Sequence, residues 1–456
     1  MDQLESVISQ VTDVLWGPVM LVFLLGGGIY LSVRIGFIQI KHFRFMWSQT
    51  VGSLFTKAQD RNKSKGTITP FQAVTAELGS TVGASNIIGV SVALFFGGPG
   101  ALFWMWATAF VGMATKYSEI VLSLLYREKN KDGEFVGGPM YYLRKGMGSK
   151  FLAVCFAFFF MIEIFSSIMV QSNSAAGSAS SLGLPPIISG LIISAVIALI
   201  VFGGVKRVGK VSERFVPFMS SLYLLGAMVI ILSHIESIPS IFWLVFKEAF
   251  HFRSFAGGLA GTSILMALRW GTARGLYSNE AGMGSAPIAH AAAVTDHPAR
   301  QGLWGIFSVF FDTLIVGTVS GLVLLTTGIW KASGMDASEM PARAFTEFYG
   351  PLGGVLVSLS LLFFVISTIY VIAFYGEKLA SFLFGFKFSI VMRLVYIGAC
   401  FIGAVGGLKV VWLFLDLFLA LVVVPNLIGV LGLSSQVVDQ TKDFFDTKKK
   451  TGLKKK

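Results

Sequence analysis

Between Pro70 and Phe96 the chain reads PFQAVTAELGSTVGASNIIGVSVALFF, and its middle carries Gly79, Ser80, Thr81, Gly83, Ser85 and Asn86. The stretch is long enough to cross a bilayer as a helix. Yet glycine weakens a helix, and short hydroxyl and amide side chains offer its backbone competing hydrogen bonds. A broken backbone at membrane depth survives only where protein or a water-filled cavity covers it. The spacing therefore predicts a bent helix with a ligand site at the bend, tight helix packing being the competing explanation of the glycines. Two chemistries suit such a bend. Oxygens from Ser80 through Gly83 and Ala84 can replace part of the hydration shell of a sodium ion. A half-helix starting at Ser85, with Asn86 beside it, can direct its N-terminal end at a carboxylate. A zwitterion travelling with a cation fits both.

Other polar groups could complete the site. FSSIMVQSNSAAGS carries Gln171 and Asn173, which fit either hydrogen bonds to neighbouring helices or contact with a substrate. Ser367 and Thr368 interrupt an apolar run. Such hydroxyls usually bond back to the preceding turn, but facing the bend they would finish an oxygen cage for sodium. Charges within apolar stretches are costly and need partners. Lys116 and Glu119 are spaced to pair along one helix face, and Asp312 reads either as a buried pair with a basic group such as Arg274 or as a group with a role in coupling. Glu77 lies just before the bend, where it either binds a cation or proton or reaches water. His290 and His297 form no helix-borne metal signature and no serine nucleophile motif accompanies them, so an enzyme is not expected.

The elements that must position these residues are helices in a membrane. Of 456 residues, 54% are hydrophobic and 13% charged, with mean hydropathy +0.75, which ordinary soluble domains do not show. At about 20 apolar residues per crossing, roughly eleven spans follow: 15–33, 70–96, 101–125, 151–173, 186–203, 211–233, 256–281, 302–329, 353–376, 391–408 and 410–433. The first is expected to be a retained span, since it lacks a small-residue cleavage pattern. Cys155 and Cys400 both sit in apolar stretches, against a disulfide framework.

Charge orients the spans. Asp2, Glu5 and Asp13 precede the first, and Arg34, Lys41, Arg44, Lys57, Arg61, Lys63 and Lys65 follow it, so the N-terminus is expected outside and the C-terminus in the cytoplasm of a cell-membrane protein. Lys409 is a mild dissent. The net charge of +12 is spread over these loops and the tail KKKTGLKKK, which suits anionic lipid and not nucleic acid. Phe37 to Phe55 mixes aromatic and basic residues and reads as an interfacial segment or a plain loop.

A second interruption, GTSILMALRWGTARGLYSNEAG, falls five spans after the first, with Gly271, Thr272, Gly275, Ser278 and Asn279 in its later part. Interrupted segments in corresponding places point to an inverted-repeat transporter. The expected organisation is a peripheral helix and loop (1–69), a first five-helix unit (70–235), a second (236–433) and a basic tail (434–456).

GGPGALFWMWATAFVGMATKYSE, VGGPMYYL, MVQSNS and ARGLYSNEAGMGSAPIAHAAAVTDHPARQGL resemble the alanine or glycine:cation symporter family from about Pro70 to Gly385. The resemblance implies an all-α polytopic membrane protein with a LeuT-like 5+5 inverted repeat. It also implies sodium-coupled uptake of small neutral amino acids, with no cofactor besides the coupling ion. By motif, Gln171 is similar to a substrate contact, Tyr277 stands near the second break, and Thr368 resembles a pocket or sodium residue. Family members typically read GTGNIAGV where this chain has GASNIIGV, so Ala84 and Ser85 change the donors around a substrate's backbone groups. Ile372 stands where the family usually has tryptophan. A larger neutral amino acid such as glutamine, or proton coupling, is the alternative, and a channel would need a continuous polar lining.

Overall fold

The structure is a computed structural model and describes residues 8, 10–12, 14–55, 66–131, 133–251, 262–331, 334–406 and 409–450. Asp2, Glu5, Asp13, Lys57, Arg61, Lys63, Lys65, Gly261 and the end of the basic tail lie outside them.

The described chain is almost wholly helical. α1 spans Pro18–Arg34, α2 Pro70–Thr81, and α3 Val90–Gly97 after a π-helical turn at Ser85–Gly89. α4 spans Gly100–Leu125, α5 Lys150–Ser181, α6 Pro186–Val201 and α7 Gly204–Ser233. α8 spans Thr262–Asn279, and α9 Pro298–Val309 continues through a π-helical stretch at Phe310–Gly317 into α10 Thr318–Thr327. α11 spans Pro351–Phe384, α12 Phe386–Val405, α13 Lys409–Gly432 and α14 Ser434–Lys450. A two-stranded hairpin, β1 Glu128–Lys129 with β2 Phe135–Val136, sits in the loop after α4.

By length and composition, six described helices can cross a membrane, and the bent pair Pro70–Thr81 with Ser85–Gly97 makes a seventh. Eleven spans exceed this by four: α1 and α6 have only 17 and 16 residues, α4 carries Lys116 and Glu119 among small and polar residues, and α8 carries Arg269 and Arg274 in its described part.

Packing joins these elements in three groups. α5 runs beside α11, α12 and α13; α2 packs on α7 and α11; α4 packs on α8 and α9. The small residues Ala73, Ala76, Ala109, Ala114, Ala153 and Ala157 are buried on α2, α4 and α5, in keeping with the close helix approach that replaces the hydrophobic drive lipid does not supply.

Two peripheral segments are more ordered than their composition indicates. Residues 37–55 form short helices, Ile38–Lys41, Phe43–Gln49 and Val51–Leu54. Phe43 packs on Phe310 and Trp47 on Phe307, with ring centroids 5.2 and 6.1 Å apart. The segment expected as a basic tail forms α14 up to Lys450: Phe445 stacks on His42 at 4.0 Å, and the Tyr117 and Thr441 hydroxyls meet at 2.8 Å.

Candidate functional site

The bend predicted between Pro70 and Phe96 is present. α2 starts with a reciprocal cap, in which Thr69 Oγ1 accepts the Gln72 N–H at 3.1 Å and Gln72 Oε1 accepts the Thr69 N–H at 3.0 Å, with Pro70 as the first helical residue. It stops at Val82, whose ψ of 90° leaves the helical region, and the chain resumes at 55° to its former direction. Asn86 holds the bend. Its Oδ1 accepts the Gly83 N–H at 3.0 Å, and its Nδ2 donates to Asp312 Oδ1 at 2.8 Å and Ser278 Oγ at 3.0 Å. A β-carbon at residue 83 would stand 3.0 Å from Thr368 Oγ1, so glycine lets the bend approach α11.

The second break lies later than the spacing predicts. α8 stays helical through Gly271 and Gly275 to Asn279, and these two glycines face α4. A β-carbon at residue 275 would stand 3.2 Å from Met105 Cα, so tight packing explains them. The chain leaves the helix at Glu280, whose φ is 54°, and turns through Gly282 (φ 95°) and Gly284 (φ 77°) before the helix Ala286–His290. A non-glycine residue in that left-handed region is uncommon.

Between the two breaks lies a small cavity, in which the centre of a water-sized sphere has about 30 Å³ to move. Ser80, Gly83 and Ser85 reach it from the first break, and Tyr277, Glu280, Met283 and Ser285 from the second. Phe160, Glu163, Ser167 and Gln171 line it from α5, and Thr368 and Ile372 from α11. Seven of the ten residues expected at a site thus border one space.

Ala84, Asn86 and Ser367 stand outside that lining. Ala84 packs against the apolar core, Asn86 is the fully buried pin described above, and Ser367 Oγ donates to Gly79 O at 3.0 Å and Phe364 O at 2.7 Å, fastening α11 to α2. Thr368 Oγ1 also donates to Phe364 O, at 3.0 Å. Asn173 donates to Gly403 O at 3.2 Å and Gly406 O at 3.3 Å, tying α5 towards α12. Gln171 and Asn173, equivalent by sequence, have separate places.

Glu163 and Glu280 were not singled out by pattern. Glu163 had a signal, a lone acid within FFFMIEIF. Glu280 had the same signal, an acid inside the expected span 256–281. Its Oε2 accepts from the Ser285 hydroxyl and stands 3.5 Å from Ser80 Oγ.

The intramembrane charges choose partners on other helices. Lys116 does not pair with Glu119; its Nζ lies 3.0 Å from Glu77 Oε1. Glu77 does not reach water. It is buried, with His290 Nε2 2.8 Å from its Oε2 and Ser308 Oγ donating to Oε1 at 2.7 Å. Glu119 Oε1 accepts from Asn426 Nδ2 at 2.5 Å and the Gly282 N–H at 3.1 Å. Asp312 does not meet Arg274; it accepts from Asn86, from Ser278 Oγ at 2.7 Å and from Thr313 Oγ1 at 2.8 Å. Arg274 lies over the Trp270 ring, 5.4 Å from its centroid. Helical spacing along one strand of sequence cannot show a partner that arrives on a crossing helix.

The fold is similar to that of a manganese transporter of Eremococcus coleocola, with a TM-score of 0.53 at 12% identity over 83% of this chain and 85% of that one. Relatives by sequence include the uncharacterized transporter YflA of Bacillus subtilis, 47% identical over 98% of this chain and 94% of its own length. The sodium/alanine symporter AgcS of Methanococcus maripaludis is 42% identical over 97% and 98%. The probable sodium/glutamine symporter GlnT of Bacillus subtilis is 35% identical over 98% and 92%. The profile of the sodium:alanine symporter family matches residues 1–456. This chain, a multi-pass membrane transporter and not an enzyme, therefore belongs to the sodium:alanine symporter family.

Proposed function

We propose that the protein is a sodium-driven symporter that brings alanine, glycine or a related small neutral amino acid into the cell by alternating access. The observation that carries this reading is the meeting of two helix breaks, α5 and α11 at one small cavity lined by polar and apolar side chains. Sodium binds beside Thr368, where the Ser80 and Thr81 carbonyl oxygens lie 4.0 and 3.8 Å from the β-carbon position of residue 83. Ser80 and Gly83 supply the remaining break-side contacts, and Ser367 supports that wall from behind. The substrate carboxylate faces the half-helix that begins at Ser85, placed by Ala84 and Asn86. Gln171 and Tyr277 contact its polar groups and Ile372 its side chain.

The cavity size favours a small substrate. Its 30 Å³ is on the order of two waters, so a glutamine side chain requires more displacement of Gln171, Met283 and Ile372 than a methyl group does. Glutamine is the second reading, supported by the GlnT relative and by isoleucine at 372.

The proposed layout is two five-helix units of opposite orientation. α2/α3 to α7 form one and α8 to α13 the other, with α1 peripheral. Each unit opens with a broken helix and has a long rod third, α5 of 32 residues and α11 of 34. The N-terminus lies outside and the C-terminus in the cytoplasm, so a cysteine at Ser180 should react with an impermeant thiol reagent on intact cells and one at Lys131 should not. Counterflow in proteoliposomes, with a panel of amino acids with and without sodium, tests the function. Saturable, sodium-dependent exchange of alanine or glycine is expected. Exchange of glutamine alone would select the second reading, and sodium-independent flux without exchange would reject symport.

A further inference from the structure

Among the described residues the cavity lining holds two acids, Glu163 and Glu280, and no basic side chain. Glu280 has hydroxyl partners in Ser285 and Ser80. Glu163 is 4% exposed, points into the cavity, and makes no hydrogen bond or ion pair among the described residues. An isolated carboxylate so deep in a membrane protein is costly and marks a functional position.

The groups facing it do not neutralise it. Glu280 acts on it with like charge. Tyr277 and Tyr396 face it electrostatically, and the Tyr396 hydroxyl already donates to Met161 O at 3.1 Å. Arg274 and Asp416 reach Tyr277, and Lys116, which acts on Glu280, is paired with Glu77. A zwitterionic substrate adds no net charge. One sodium ion at the helix break offsets one of the two carboxylates, and the other still needs a cation.

We propose that Glu163 anchors a second sodium site in this cavity, so that two sodium ions accompany each amino acid. Glu163, Ser167 and Gln171 are spaced by four residues and share one face of α5, presenting carboxylate, hydroxyl and amide oxygens together, a donor set suited to a hard cation. A proton would need only one acceptor. This inference rests on the sodium-symport reading above.

The test uses the full-length protein in proteoliposomes, measuring sodium-22 and labelled alanine uptake together at pH 6 and pH 8 for the wild type, Glu163→Gln and Glu163→Asp. The expected ratio of sodium to alanine is about two in the wild type and about one in Glu163→Gln, with the Hill coefficient for sodium falling in parallel. Glu163→Asp should keep the ratio near two with half-saturating sodium raised up to about tenfold. A wild-type ratio of one, or a Glu163→Gln ratio equal to wild type, would overturn the second site while leaving symport intact. Loss in Glu163→Gln of proton-coupled uptake alone, or of a basic amino acid's uptake alone, would overturn it as well. Wild-type sodium flux unaffected by alanine would remove symport and the inference together. If Glu163→Gln fails to assemble, the thermal stabilisation that sodium gives purified Glu163→Asp should be smaller than in wild type, and an identical stabilisation refutes the site.

Discussion

Replacing Asn86 by alanine removes the side chain that couples the first helix break to α8 and to the π-helical stretch after α9. Five contacts are lost; the three shortest are the acceptor for the Gly83 N–H at 3.0 Å and the donors to Ser278 Oγ at 3.0 Å and Asp312 Oδ1 at 2.8 Å, and the other two, from Ser85 Oγ at 3.3 Å and to Asp312 O at 3.1 Å, share the same amide atoms. In water-soluble proteins two neutral bonds and one to a carboxylate would sum to about 3–5 kcal/mol. Interhelical bonds in membranes average about 0.6 kcal/mol, which gives about 2 kcal/mol for the three that reach Ser278 and Asp312. The lower figure is the better guide, because Asp312 keeps Ser278 and Thr313 as donors. If that energy holds the bend in its ligand-binding shape, Asn86→Ala should weaken apparent sodium and alanine affinity by up to about thirtyfold. Sodium-activation curves of alanine uptake measure this, alongside thermal unfolding in detergent. A lower melting temperature with unchanged sodium and alanine affinities would make Asn86 a packing residue only and refute the pin. No change in either would refute the geometry.

Thr368→Val keeps the volume beside Gly83 and removes one oxygen; sodium affinity should fall roughly tenfold to a hundredfold, for about 1–3 kcal/mol. Alanine affinity should recover at high sodium because linkage is reciprocal, and a loss independent of sodium would assign Thr368 to the substrate. Ile372→Trp should exclude larger neutral amino acids while sparing glycine or alanine, read by competition against labelled alanine; unchanged selectivity would remove Ile372 from the substrate wall. Lys116→Met leaves Glu77 buried without its ammonium partner and should destabilise the protein by about 3–5 kcal/mol. The double variant with Glu77→Gln should unfold at a higher temperature than Lys116→Met alone, and strict additivity of the two losses would argue against their pairing.

Much of the architecture was legible in sequence because it depends on local pattern. The apolar runs mark the helices, and glycine with short polar residues marks the first bend, where Val82 and Gly83 leave the helix. The second interruption was misplaced because Gly271 and Gly275 carry the same composition as a break while serving contact with α4. Glu280 and Gly282, where the turn occurs, lack an apolar-to-polar switch that would set them apart. Gln171, Thr368 and Ile372 converge from distant segments, and the motifs that flagged them say nothing of what stands between. Partners of buried charges were the least legible. Lys116 and Glu119 have pairing spacing, but Glu77 arrives on α2 and Asn426 on α13, and only the packed helices bring them together. The helices Ile238–Ala249 and Met340–Tyr349 were missed because each is shorter than a membrane crossing.

The central claim is that a sodium gradient drives an amino acid through the cavity between the two broken helices. Accumulation of labelled alanine in proteoliposomes under an inward sodium gradient tests it most directly. The account predicts a transient rise above the outside concentration, collapsing when the gradient is dissipated with a sodium ionophore. Uptake that never exceeds equilibrium and is the same when potassium replaces sodium would contradict it.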